Sequence, residues 1–293
     1  MLTATQLEAR QATPPARRVR SLPSLEHQYR AYLMQRIEDY KDSISRSELL
    51  KLGDEAARDL QGPANGQLLL TEMLMQETVD QQIIERLKLP SYRKWRSKIL
   101  PQREAQRAPT HWGLSGGDPV SDVSPRLEPG DRVLVIGGGA EAAVYMLAAH
   151  DTVIQCLVSD SATATRLEGK LAGESLSGQC DVFVVMLGQY FPPALYGPFD
   201  LVVIDAAALN QLPRERQRSL VMFAQQRTAP EGLHAVVSAD AGVAPEGCLI
   251  HYPDWQRIPP VAGSESPKGQ QQALRGVLLS GPPIPSSGLT SLR

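Results

Sequence analysis

The chain has 293 residues, 42% hydrophobic and 21% charged, with a formal net charge of −2 at pH 7. That size and apolar share allow a buried core without disulfides or metals, and the near-neutral charge disfavours nucleic acid as a partner. No apolar run approaches the ~20 residues that cross a bilayer, so no membrane partner is expected.

The three cysteines, Cys156, Cys180 and Cys248, match no zinc or redox spacing. Their sparse, odd number fits a reducing cytosol, so a cytoplasmic location and no bound metal are expected. The first twenty residues have no apolar core after their basic residues and do not read as a secretory signal. Charge is uneven along the chain. Residues 1–107 hold 18 Lys and Arg against 14 Asp and Glu, and the remainder holds 12 against 18. Solvated helix faces are the expected reading of this asymmetry, with an acidic partner of the front part as the alternative.

Residues 1–23 are polar and contain Pro14, Pro15 and Pro23, which predicts a disordered tail. From Leu25 onward Tyr29, Tyr32, Leu33, Ile37 and Tyr40 follow the spacing of one helix face. Ser45 and Glu48 form a capping-box pattern ahead of a second helix over 46–60. Gly62, Pro63, Asn65 and Gly66 break the chain before a third helix over 67–87, rich in Met73, Leu74, Val79, Ile83 and Ile84. Pro90 ends that helix, and Ser91 is placed to cap a fourth, basic helix through 99. Residues 24–107 thus read as an all-helical domain. Its apolar third helix is a candidate for pairing subunits into a homo-oligomer. The basic, aromatic run over 92–98 reads as a solvated face with two anchors.

Residues 108–129, dense in Pro and Gly, read as a linker. Its most unusual element is His111-Trp112-Gly113, so His111 and Trp112 are candidates to cover a substrate. From Arg132 apolar, β-branched runs alternate with helical stretches. Strands are expected at 132–136, 153–158, 181–186, 200–204 and 233–238, with a late one at 274–280. Their near-continuous hydrophobicity implies burial on both faces, as in a parallel sheet. Crossover helices fit 142–149, 163–171 and 213–226, so residues 130–282 read as a doubly wound α/β domain. Residues 283–293 read as a loose tail.

The sharpest feature is the first strand running into Gly137, Gly138 and Gly139, with a helix starting near Glu141. A tight strand-to-helix turn needs unusual dihedrals, and a ligand approaching the backbone needs the Cβ atoms absent. The helix N-terminus adds free N–H groups that suit an anion. Asp160, followed by Ser161, comes after the second strand, where a carboxylate can accept both hydroxyls of a ribose. Asp205 ends a strand at the expected ligand crevice and is the candidate general base. His234 lies within a strand and reads as a satisfied core residue. Arg214, Arg216 and Arg218 read as an exposed helix face.

These residues, with Gly197-Pro198-Phe199-Asp200-Leu201 leading into Asp205 and Glu231-Gly232-Leu233 before the fifth strand, resemble the class I S-adenosylmethionine-dependent methyltransferases over 130–282. The resemblance implies a mostly parallel, seven-stranded sheet with a terminal hairpin, for which 249–252 and 274–280 are candidates. It implies S-adenosylmethionine as cofactor, held by Gly137, Gly138, Gly139, Glu141, Asp160, Ser161, Gln189, Tyr190 and Asp205. Tyr190 and Phe191 would flank the adenine. It also implies methyl transfer to a small-molecule or protein acceptor.

The chain departs from the family pattern at several positions. Ile136 stands where an acid is common, Ala140-Glu141-Ala142 where another glycine is usual, and Gly188-Gln189 where Gly-Asp is frequent. Asp205-Ala206-Ala207-Ala208 replaces the Asn/Asp-Pro-Pro-Tyr of amino-methylating relatives. The glycine spacing also satisfies a nicotinamide or flavin fingerprint and resembles the aminopropyltransferases. A methyltransferase-like domain that no longer catalyses and serves assembly is the remaining alternative.

Overall fold

The computed structural model describes residues 24–60, 68–115, 117–176, 180–195, 197–240, 242–259 and 275–282. The expected tails 1–23 and 283–293 and the break at 62–66 lie outside the described residues.

Four helices come first: α1 (Leu25–Ser43), α2 (Arg46–Asp59), α3 (Leu68–Arg86) and α4 (Tyr92–Arg107). Ser24 caps α1 by accepting the His27 N–H, and both halves of the Ser45–Glu48 capping box form. Ser91 makes no side-chain cap, and α4 continues through Pro101 to Arg107, well past the expected end at 99. The proline forfeits one backbone bond, but the far end of the helix is fastened. Gln106 donates to the Glu174 backbone and carboxylate, and Arg107 pairs with Asp151 at 2.8 Å. The helical layer has a small core of Ile37, Leu52 and Ile83. Tyr29, Tyr32, Tyr92 and Trp95 clasp α1 to α4 with ring centroids 5.5 to 6.5 Å apart, and the Tyr29 hydroxyl donates to the Pro90 carbonyl at 2.8 Å.

The stretch 108–129, expected as a linker, is packed. It forms a 3-10 turn at Pro109–Trp112, then α5 (Pro119–Val123) and a 3-10 turn at Ser124–Arg126. Leu114, Val120 and Val123 are buried in the same core as Val133 and Val135. Its prolines and glycines set tight turns here, with Gly113 at φ 76° and Pro119 opening α5.

Seven strands follow: β1 (Arg132–Ile136), β2 (Val153–Val158), β3 (Cys180–Val184), β4 (Phe199–Asp205), β5 (Thr228–Ser238), β6 (Gln256–Ile258) and β7 (Arg275–Ser280). They form one sheet in the order β3-β2-β1-β4-β5-β7-β6, parallel from β3 to β5, with β7 antiparallel to both β5 and β6. This is the doubly wound, mostly parallel seven-stranded sheet that the apolar runs and the family resemblance led us to expect. The intervening helices are α6 (Glu141–Ala149), α7 (Ser161–Gly173), α8 (Ala206–Asn210) and α9 (Arg214–Gln226). Val133, Val135, Leu201, Val203, Ala235 and Val237 belong to one apolar layer with α6 and α7. Leu134, Ile136, Val202, Ile204 and Val236 belong to the other with α9. That period-two alternation, buried on both sides, explains the continuous hydrophobicity of the strands.

Two connections differ from expectation. The segment expected as a hairpin strand at 249–252 falls in a 3-10 turn, Pro245–His251, that buries Pro245 and Cys248, with Tyr252 also buried just after it; the strand is Gln256–Ile258 instead. Between β3 and β4 the described residues form no helix, and Val185, Leu187 and Leu195 supply the buried side chains there.

Candidate functional site

β1 and β4 are parallel neighbours, with Ile136 opposite Ile204, and the next strands in sequence run off to opposite sides. The turn after β1 and the end of β4 therefore meet at the switch point of the sheet, where such folds open a crevice. Gly137 takes φ +100°, a conformation that side chains rarely adopt, and its N–H bonds the Leu157 carbonyl at 2.8 Å. A 3-10 turn at Gly138–Ala140 then leads into α6.

Asp205 lies directly against this turn and is 4% exposed. Its Oδ2 accepts the Gly139 N–H at 2.9 Å, and its Oδ1 accepts the Ala207 N–H at 3.0 Å, which caps α8. Burial pushes its carboxyl above the usual range, while the N–H groups of Gly139, Ala207 and Ala208 pull the other way and Asp240 adds to the rise.

The glycines themselves face protein. A Cβ on Gly137 would stand 2.6 Å from Asp205 Cβ and 2.8 Å from Ala208 Cβ. One on Gly139 would stand 2.6 Å from Asp205 Oδ2, and one on Gly138 would stand 2.9 Å from Thr163 Cγ2. The missing side chains thus serve the close approach of β4, α8 and α7, a reason for glycine beyond the tight turn and the ligand approach expected from the sequence. Thr163 and Ala208 escaped the sequence reading. Thr163 stands at the third residue beyond the Asp160 cap, which was the available signal.

Asp160 is exposed and caps α7, its Oδ1 accepting the Thr163 N–H at 2.8 Å. That bond holds its carboxyl below the usual range. Ser161 is exposed in the first turn of α7. Glu141 is engaged elsewhere: its Oε1 accepts from Arg166 Nε at 2.9 Å and also from Nη2, and its Oε2 accepts the Tyr145 hydroxyl at 3.3 Å. It ties α6 to α7.

Gln189 and Tyr190 are exposed on the turn after β3. That turn packs on α9, because a Cβ on Gly188 would stand 2.6 Å from the Arg216 carbonyl oxygen. Phe191, expected beside an adenine, instead stacks on Phe223 of α9 at 3.8 Å and 5°. His111 and Trp112 are also placed differently from expectation. Trp112 donates its N–H to the Gln106 carbonyl at 2.6 Å, packs on Tyr145 at 5.4 Å and lies under the Lys170 ammonium, with His111 edge-on against it. The pair fastens α4 to α6 and α7.

Two more buried polar groups stand outside the turn. Asp118, buried at the start of α5, accepts the Ser115 N–H, and burial pushes its carboxyl up to about 6. His234 is fully buried between Thr228 Oγ1 at 2.7 Å and the Tyr252 hydroxyl at 2.9 Å, with its pKa lowered to about 3 by burial. Among the described residues no three His, Cys, Asp or Glu side chains are grouped to hold a metal ion, and no helix is long and apolar enough to cross a membrane.

No family model and no curated protein matches the chain. Among solved structures the chain is similar to the glycopeptide N-methyltransferase MtfA in complex with S-adenosylmethionine, at 14% identity and TM-score 0.44, over 58% of this chain and 95% of that one. It is similar to the N-methyltransferase NodS from Bradyrhizobium japonicum at 15% identity and TM-score 0.42, over 55% and 90%. A SAM-dependent O-methyltransferase from Thermotoga maritima matches at 13% identity and TM-score 0.40, over 56% and 65%. These are distant likenesses of fold.

The residues at the switch point fit an adenosyl cofactor on one condition. Asp160 is exposed at the end of β2, open to ribose hydroxyls, and the buried Asp205 carboxylate suits a positive charge. The Gly139 N–H, which would suit the carboxylate of a methionine tail, is already taken by Asp205. The cationic end of the ligand must therefore pair with Asp205, or Asp205 must release the turn.

Proposed function

We propose that residues 130–282 bind S-adenosylmethionine at the carboxyl ends of β1, β2 and β4, and that the chain methylates a small-molecule or protein acceptor. The observation that carries this reading is the meeting of the Gly137 turn with the buried Asp205 carboxylate at the switch point. A sulfonium and an ammonium both stabilise an ionised carboxylate that burial otherwise penalises. Asp160 then holds the ribose, and Gln189, Tyr190 and Ser161 border the adenosyl end. When bound, the cofactor supplies an electrophilic methyl group. Little is then asked of the protein beyond alignment of the acceptor. Where a proton must leave the acceptor, Asp205 is the carboxylate at the crevice that would take it.

The test is the melting temperature of the full chain with millimolar S-adenosylmethionine, S-adenosylhomocysteine or NAD. A ligand that binds the native state raises it. We expect a rise with both sulfur ligands, larger for the cationic one, and none after Gly139→Val. No rise with either sulfur ligand refutes the reading, and a rise with NAD alone points to an oxidoreductase.

A second reading is favoured by one observation. Asp205, Ala208 and Thr163 occupy the side-chain space beside all three glycines. In that reading the domain is a methyltransferase-like scaffold that uses its own carboxylate to satisfy the turn, and it binds neither sulfur ligand.

A further inference from the structure

The helical layer leaves much of its apolar surface uncovered. Ile37, Leu52, Ala56 and Ile83 are its fully buried apolar side chains among the described residues, whereas Met34, Met73 and Leu74 are 50%, 63% and 40% exposed. A core of that size is marginal for three helices, and a contiguous apolar patch on a soluble surface marks an interface.

Met34 and Leu74 border a groove of about 660 Å³ between α1 and α3. Leu33, Met34, Leu74 and Ile84 line it, with Arg30 on α1 and Glu77 on α3. Asp80, also in the groove, is neutralised by Lys41 at 2.9 Å. Arg30 and Glu77 form no ion pair with a described residue. The groove therefore carries one uncompensated charge of each sign around an apolar centre. Such a surface is complementary to itself. A twofold axis through it sets Arg30 of one protomer against Glu77 of its partner and repeats the pair on the other side.

We propose that this groove is the interface of a homodimer, in which α1 and α3 of two copies close a four-helix bundle. Apolar contacts between Met34 and Leu74 across the axis supply the attraction. The Arg30–Glu77 pairs set the register and exclude other partners.

Sedimentation equilibrium of the full chain at micromolar concentration tests this. The expected result is a dimer that Leu74→Glu converts to a monomer with unchanged helical circular dichroism. Arg30→Glu and Glu77→Arg should each weaken the dimer at least tenfold, and the two together should restore it. A monomer at tens of micromolar overturns the proposal, as does a dimer indifferent to all three substitutions. Failure of the double charge swap to restore pairing refutes the register. A monomer whose groove takes up a hydrophobic dye assigns the groove to a small ligand instead. None of these outcomes depends on whether the α/β domain binds S-adenosylmethionine.

Discussion

Gly139 gives its N–H to a carboxylate that stands where its own Cβ would be. Gly139→Ala should therefore displace Asp205 and cost about 1–3 kcal/mol, as overpacking of a tight site does. Urea unfolding checks the value, and an unchanged midpoint would mean that the turn relaxes freely. Asp205→Ala should cost about 1–3 kcal/mol by leaving the Gly139 and Ala207 N–H groups without an acceptor. Asp205→Asn should cost less, since an amide oxygen still accepts.

Two buried titrating groups give opposite pH signatures. The folded pKa of His234, about 3, lies below its ordinary 6.5, so the unfolded chain binds the proton first. The stability it contributes is complete above pH 6.5 and falls as the pH drops from there towards 3. His234→Phe should flatten the melting temperature over that window. For Asp118 the folded value is raised from 3.8 to about 6, so its ionisation costs stability as the pH rises through that interval. Asp118→Asn should raise the melting temperature at pH 7.5 and leave it unchanged near pH 3.8. The glycine turn and the Asp205 that ends β4 could be picked out in the sequence. Their engagement with one another was not, because the side-chain contacts of Asp205 and Thr163 join residues far apart in the chain.

The strands were the most legible elements. A run such as Val133, Leu134, Val135 and Ile136 is buried on both faces, and only a covered parallel sheet rewards that. The elements that escaped are those whose limits depend on distant contacts. The expected end of α4 at 99 is overrun, because the docking of Gln106 and Arg107 on the α/β domain carries the helix past Pro101. The composition of 108–129 argued for a linker, yet Val120 and Val123 fill the main core. The short β6 carries only three residues and depends on β7 for its definition. The clasp between α1 and α4 also depends on residues far apart in sequence. Trp95→Ala removes ring contacts to Tyr29, Tyr32 and Tyr92 and should cost about 1–3 kcal/mol. Limited proteolysis should then cut within 24–90 faster while the α/β domain stays intact. Equal rates for the variant and the original would show that the clasp is not what holds α1 against α4.

Across the whole molecule, α4 and the packed segment behind it join the helical layer to the sheet, so the chain is fastened at Arg107–Asp151 and at Trp112–Tyr145. The α/β domain places its glycine turn at the switch point on the far side of β1 from the Arg132 end. The overall class followed from the apolar runs alternating with helical stretches and from the family resemblance, whereas the use of the turn depends on whether Asp205 shares it with a ligand. Titration of the glycine-labelled, full-length chain with S-adenosylmethionine, followed through its amide resonances, tests this most directly. Saturable movement of the Gly137, Gly138 and Gly139 signals, lost in Asp205→Ala, is the expected result. Fixed signals for these three glycines at millimolar ligand would contradict it and leave the turn to Asp205, Ala208 and Thr163.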